Sequence, residues 1–255
     1  MASTWDPDQY NRFRTQRRQP FLDLMALLRP REGLRVVDLG CGTGETTRLL
    51  HDHLGARETL GLDSSETMLA DSAAYAAPGV RFERGDIAAF TGGAWDVVLS
   101  NAALQWLPDH PALFARVTAA LAPDGQLAVQ MPYNYDEPSH TVAAALAREE
   151  PFRTALGGYA VDRPVQAPEA YAALLFALGY REQRVGMQVY AHVLPSPDDV
   201  VEWVKGTLLT AYRRRLPAAL WPAFLEQYRT RLLPQLNPAQ PYFYPFKRLL
   251  MWAQR

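Results

Sequence analysis

Three glycines spaced every second residue, Gly40, Gly42 and Gly44, follow the apolar pair Val36-Val37 and a carboxylate, Asp38. Glycines in this pattern let a chain leaving a strand turn sharply, and let a ligand approach the backbone with no Cβ in the way. A second acid, Asp63, ends the apolar run Leu60-Gly61-Leu62, 19 positions beyond Gly44. Core packing asks for no carboxylate at a strand tip, whereas the two hydroxyls of a ribose do. A third acid, in Arg84-Gly85-Asp86-Ile87, is suited to accept from an adenine amino group, with Ile87 against the ring. These residue types, in this order, read as a nucleoside site.

Charge narrows the nucleoside. A nicotinamide dinucleotide site would show Gly-x-Gly-x-x-Gly, opening a helix whose N-terminus accepts the pyrophosphate. Here the spacing is shorter, and Asp38 in front of it would repel a diphosphate. The same carboxylate suits the ammonium of a methionine moiety. The predicted cofactor is therefore S-adenosylmethionine, a cationic nucleoside without phosphate.

The elements that must position these groups alternate. Apolar runs at Leu34–Leu39, Thr59–Asp63, Val80–Glu83, Asp96–Ser100 and Gln126–Met131 read as strands. Amphipathic stretches at Glu45–His53, Ser65–Ala74 and Ala112–Leu121 read as helices between them, and Phe21–Leu28 as a covering helix. The pattern predicts an α/β fold, a largely parallel sheet with helices on both faces. Beyond Met131 come a polar, aromatic loop at Tyr133–Pro138, a helix through Arg148, and a helix Pro168–Leu178 stopped at Gly179. A strand at Arg184–Leu194, a helical stretch Asp198–Leu236 and a last strand Arg248–Ala253 complete the chain. The expectation is one domain over 1–255, with the cofactor core at 30–132 and acceptor-covering insertions at 133–165 and 196–240.

Composition excludes several classes. Lys plus Arg is 26 against 27 for Asp plus Glu, which supplies no bulk field for nucleic acid. The clusters Arg12, Arg14, Arg17, Arg18 and Arg213–Arg215 read as solvated helix faces as readily as a site. No apolar run approaches the roughly 18 residues of a membrane span, and no basic-then-apolar leader opens the chain. The one cysteine, Cys41, precludes an intrachain disulfide, which fits the cytoplasm. No His or Cys pair stands at metal-ligand spacing, so no metal is expected.

The motif from Asp38 to Gly44 resembles that of class I S-adenosylmethionine-dependent methyltransferases, acid-x-Gly-x-Gly-x-Gly. The resemblance implies a Rossmann-like, seven-stranded, mostly parallel sheet with its last strand antiparallel. It places Asp38, Gly40, Gly42 and Gly44 at the methionine end and Asp63 on the ribose. Ser64 and Met68 fall beside the adenosine, Asp86 and Ile87 beside the adenine, and Asn101 at the fourth strand's tip. Further stretches resemble one branch, the trans-aconitate 2-methyltransferases. They are Trp5–Phe13, Asn101–His110, Leu127–Pro132 with Asn134 and Glu137–His140, Glu202–Thr207, and Pro245–Leu249. That branch esterifies a carboxylate of a small unsaturated tricarboxylic acid.

A carboxylate acceptor is already anionic at neutral pH, so in-line displacement needs alignment and electrostatics rather than a general base; no catalytic residue is assigned. It does need groups to hold the remaining carboxylates, for which the planar fork of arginine is suited. Arg17, Arg18, Arg213, Arg214 and Arg248 are candidates, with Tyr10, Gln105, Trp106, His110, Tyr133, His140 and Trp203 as hydrogen-bonding or wall residues. Trp106 and Trp203 fit core or interface anchoring as well as a wall, and His110 fits helix initiation. The chain departs from the branch in two places. It has Arg17-Arg18-Gln19-Pro20 against Arg-x-Arg-Pro, and Thr210-Ala211 where Arg-Pro often stands. Each loss removes a clamp worth about 1.5–3 kcal/mol. Three readings stay open: a carboxyl methyltransferase, a methyltransferase for another O-, C- or N-acceptor, and a non-catalytic binder. A C- or N-acceptor would need His110 or His140 as base.

Overall fold

The structure, a computed structural model, describes residues 14–161 and 165–255. Among them the chain divides into two compact units.

The sheet unit comprises Arg18–Pro132, Pro164–Gln188 and Arg248–Arg255. Its strands are β1 Arg35–Leu39, β2 Glu58–Asp63, β3 Val80–Arg84, β4 Trp95–Asn101 and β5 Leu121–Pro132. Two longer strands, β6 Glu182–Leu194 and β7 Tyr242–Gln254, complete a seven-stranded sheet of order β3-β2-β1-β4-β5-β7-β6. Strands β1 to β5 pair in parallel, whereas β5 and β7 are antiparallel. The inner strands β1 and β4 carry buried runs of Val and Leu, as strands covered on both faces do, whereas the edge strand β3 is largely exposed. Against one face pack Phe21 and Leu24 of helix α1 (Arg14–Met25) and Leu50 and Leu54 of helix α2 (Glu45–Leu54), all buried with Val36, Val97 and Leu99. Each such buried side chain contributes about 1.5–3 kcal/mol. Gln126, wholly buried, donates to the Arg29 carbonyl and accepts from the Arg29 N–H and Trp252 Nε1. That pins the approach to β1 onto β5 and β7.

The other unit is largely helical and is built from Tyr133–Arg163 and Val189–Lys247. It carries helices α5 Pro138–Ala147, α6 Phe152–Ala155, α8 Asp198–Lys205, α9 Leu208–Arg213 and α10 Trp221–Leu232; α3 Glu66–Leu69, α4 His110–Ala119 and α7 Pro168–Ala177 belong to the sheet unit. Val142, Leu146, Trp203, Tyr212, Phe224 and Tyr228 form its core. The Tyr228 hydroxyl donates to the Ser139 carbonyl at 2.8 Å. No helix among the described residues is long and apolar enough to cross a membrane.

Of the expected elements that change, three show the reason most clearly. The helix expected at Ser65–Ala74 is two short turns, α3 and a 3-10 turn Ser72–Tyr75. The Ser72 hydroxyl donates to the Leu69 carbonyl at 2.7 Å, occupying an acceptor that a continuous helix would use. The last strand begins at Tyr242 rather than Arg248, with Tyr242, Tyr244 and Phe246 buried in the helical unit. Pro241 and Pro245 hide that alternation in the sequence. Finally, α1 starts before the expected Phe21 and ends at Met25, with Pro20 inside it. The Gly179 stop is as expected. It sits at φ 85°, and the Tyr180 N–H donates back to the Leu175 carbonyl.

Candidate active site

Parallel pairing brings the C-terminal ends of β1 to β4 to one edge. There β1 lies between β2 and β4, the point where the strand order reverses direction and such sheets bind ligands. Asp38, one residue from the end of β1, pairs with Gly61 and Leu99; Asp63 ends β2 and Asn101 ends β4. The glycine turn then crosses this edge. Gly40, Gly42 and Gly44 all have positive φ (84°, 57° and 83°), a region costly for any residue with a Cβ. A Cβ on Gly40 would stand 2.2 Å from Ala103 Cβ, and one on Gly44 2.6 Å from the Phe82 ring. The turn is anchored where Gly40 N–H donates to the Leu62 carbonyl at 2.8 Å.

Two carboxylates are fixed differently. Asp63 Oδ2 accepts from the Gly42 N–H at 2.9 Å and Oδ1 from the Ser65 N–H at 2.8 Å. Each oxygen keeps a lone pair, so the carboxylate is aimed and still able to accept two hydroxyls. Asp38 is buried and accepts from the Thr47 hydroxyl at 2.6 Å. Burial pushes its carboxyl up to about 7, against the Thr47 hydrogen bond and helped by the charge of Asp63. Thr47, in the first turn of α2, is a site residue the sequence reading missed. Its signal was a hydroxyl one helical turn past the glycines.

The other predicted cofactor residues gather here. Met68 Cε lies 3.0 Å, and Ile87 Cδ1 3.5 Å, from where side chains on Gly42 and Gly40 would begin. Ser64 is exposed beside Asp63. Asp86 is exposed and caps the turn Ile87–Ala89, accepting from the Ala88 N–H at 2.8 Å. Asn101 carries a buried side-chain oxygen with no hydrogen-bond partner. The cradle fits S-adenosylmethionine on three counts. A Cβ would fill it, its buried acid lacks a cation, and Asn101 offers an unfilled acceptor at the strand edge.

The acceptor candidates are less uniform. Gln105 is buried, donating from Nε2 to the Ala102 carbonyl at 2.7 Å, while its neighbour Trp106 is 52% exposed. His110 is buried with both ring nitrogens engaged: Nε2 donates to the Leu104 carbonyl at 3.1 Å and Nδ1 meets the Tyr171 hydroxyl. Both ring nitrogens of His110 are thus engaged within the protein. Trp203 is likewise enclosed. It is a core residue of the helical unit, its ring centroid 4.8 Å from that of His192 and 5.5 Å from that of Phe246. Arg248 is buried on β7 and donates to Gln130 Oε1 at 3.3 Å. Arg18 and Arg213 are exposed, Arg213 lying 5.9 Å over the Trp221 ring. Tyr133 is buried, its N–H donating to the Lys247 carbonyl. Tyr10, with the rest of Trp5–Phe13, lies outside the described residues, as does the side chain of Arg17.

His140 lines a cavity of about 350 Å³ within the helical unit, together with Tyr135, Thr141, Arg148, Val161 and Leu208. Its Nδ1 lies 3.1 Å from the Ser139 hydroxyl, and burial lowers its pKa to about 4, so it is neutral at pH 7. Arg148 went unnoticed in the sequence, where nothing distinguishes an arginine at a helix end from a solvated one.

A family described as methyltransferase domain matches residues 36–125. A solved S-adenosylmethionine-dependent methyltransferase from Mesorhizobium loti superposes with a TM-score of 0.51 at 25% identity, over 92% of this chain and 96% of that one. Phosphoethanolamine N-methyltransferase 2 of Haemonchus contortus shares the fold, with a TM-score of 0.56 at 16% identity over 93% of this chain and 52% of its own. Fold and cradle thus define an S-adenosylmethionine-dependent methyltransferase. Trans-aconitate 2-methyltransferase of Deinococcus radiodurans is 45% identical over 99% of this chain and 98% of its own length. That of Variovorax paradoxus is 40% identical over 98% and 95%. The chain belongs to the trans-aconitate 2-methyltransferase family.

One consequence of the cradle concerns pH. Asp38 holds its proton to about pH 7 in the cofactor-free fold, well above its unfolded value near 4. Stability of that form therefore falls as pH rises between those limits. A cationic cofactor favours the ionised acid, so affinity should rise with pH and level off above 7. Below 7 it should fall by up to about tenfold per unit. Titration calorimetry with S-adenosylmethionine from pH 5.5 to 8.5 measures this. An Asp38→Asn variant should flatten the profile.

Proposed function

We propose that the chain transfers the S-adenosylmethionine methyl to a carboxylate of a small tricarboxylic acid, trans-aconitate foremost, forming a methyl ester. The cofactor supplies an electrophilic sulfonium methyl; the chain supplies position. Asp63 and the glycine turn orient the nucleoside, while Asp38 and Asn101 meet the charged methionine end. The observation that carries the reading is the state of the two histidines a C- or N-acceptor would need. His110 has no nitrogen to spare, and His140 at a pKa of about 4 is a weak base. An anionic oxygen needs neither. The names of the relatives point to the same acceptor.

The test is incubation with methyl-labelled S-adenosylmethionine and a panel of di- and tricarboxylic acids, with amines and phenols as controls. The expected product is labelled ester that mild base cleaves to methanol, highest with trans-aconitate. Label stable to base would point to a C- or N-acceptor. Cofactor binding with no transfer to any panel member would favour a non-catalytic binder.

A further inference from the structure

The segment between β4 and α4 is held more firmly than a loop needs to be. Two non-glycine residues with positive φ bracket it, Ala102 at 54° and Asp109 at 52°. Strain of this kind in a non-glycine backbone clusters where a side chain must be aimed. Between them Leu104–Trp106 forms a 3-10 turn in which Leu104 and Gln105 are buried and Trp106 alone is thrust into solvent. Ala103 fills the space that Gly40 leaves by having no Cβ. The turn therefore abuts the cofactor cradle directly.

One hydrogen-bonded chain fixes the turn from behind. The Leu104 carbonyl can only accept, so His110 Nε2 carries the proton and Nδ1 is the acceptor. Nδ1 then takes the hydroxyl proton of Tyr171, and that oxygen in turn accepts from the Gln166 N–H at 3.2 Å. Every donor meets an acceptor in one direction only. Tyr171 is wholly buried, its ring centroid 5.7 Å from that of His110 and 5.4 Å from that of Phe114. Burial also lowers the pKa of His110, which keeps the neutral tautomer in place.

We propose that His110 and Tyr171 are positioning residues of the methyl transfer, acting through Leu104 to hold Trp106 as a fixed aromatic wall for the acceptor beside the cofactor. This rests on the acceptor reading above; the pair itself does not touch substrate. Its logic is preorganisation: a wall already ordered costs the acceptor no ordering when it binds.

The test uses the full chain labelled with 5-fluorotryptophan, the Trp106 resonance being assigned by Trp106→Phe. Tyr171→Phe deletes one hydroxyl from a ring that can otherwise stay packed. In the complex with S-adenosylhomocysteine it should shift or broaden the Trp106 resonance and leave the other tryptophans unmoved. It should raise the acceptor KM about five- to tenfold while cofactor affinity stays within about twofold. His110→Gln, whose amide can still reach the Leu104 carbonyl, should lose less than His110→Ala. A Trp106 resonance unmoved in Tyr171→Phe would overturn the proposal. So would an equal loss of cofactor affinity and acceptor KM, which marks general damage. Should the wild type esterify no acid, the function reading falls, while the fluorine spectrum still decides whether the pair holds Trp106.

Discussion

Replacing Asp63 with alanine is expected to weaken S-adenosylmethionine binding by about two orders of magnitude, with the fold intact. The carboxylate does two jobs. It accepts from the Gly42 and Ser65 N–H groups, tying the glycine turn to the loop after β2, and on the proposed reading its remaining lone pairs would receive the ribose hydroxyls. Removing it forfeits charge-assisted bonds to ligand worth about 1.5–3 kcal/mol each, less what water restores at a half-exposed strand tip. Asp63→Asn keeps one accepting oxygen and should lose only about tenfold. Calorimetric titration at pH 8, where Asp38 is ionised, reads both. Affinity within threefold of wild type in a folded Asp63→Ala protein would remove Asp63 from the site.

Gly40→Ala carries the other large effect, and it separates steric from conformational cost. The new Cβ would overlap Ala103 Cβ at 2.2 Å and would also force a side chain onto φ 84°. Overpacking adds about 1–3 kcal/mol, and the left-handed conformation about 1–2. Gly55 is the internal control, because it has φ 57° and nothing within 4 Å of its missing Cβ. Gly55→Ala should thus cost only the conformational part. Denaturant melts of the two variants should differ by about 1–3 kcal/mol, and Gly40→Ala should bind cofactor hardly at all. The double change with Ala103→Gly should recover part of the stability. Equal melts for Gly40→Ala and Gly55→Ala would contradict the contact with Ala103.

The cofactor end was legible in the sequence because its signals are local. A buried strand must be apolar, so an acid at its tip, as at Asp38 or Asp63, stands out. Glycines two apart after such a strand serve little besides a tight turn left open to a ligand. The same local logic located β1 to β5 and the C-terminal ends of β1 and β2, but not the start of β5, five residues earlier than expected. Other features depend on where a side chain travels. Trp203 and Trp106 look alike in sequence, yet one is sealed in an aromatic core and the other left in solvent. His110 looked free until Tyr171, 61 positions away, supplied a partner for its ring. Prolines at 241 and 245 masked the first half of β7, Thr47 offered only a hydroxyl one helical turn past the glycines, and Arg148 carried no pattern at all. The helical unit also takes in parts of β6 and β7, from Val189 and up to Lys247, which periodicity could not assign.

Methyl transfer of this kind begins from an acceptor oxygen that is already charged when the methyl arrives. The most direct test is the single-turnover rate of transfer to trans-aconitate, with both substrates saturating, from pH 6.5 to 8.5. The expected rate constant is flat across the range, yielding base-labile ester throughout. A rate that climbs tenfold per pH unit, or a product that survives base, would mean that a proton must leave the acceptor first.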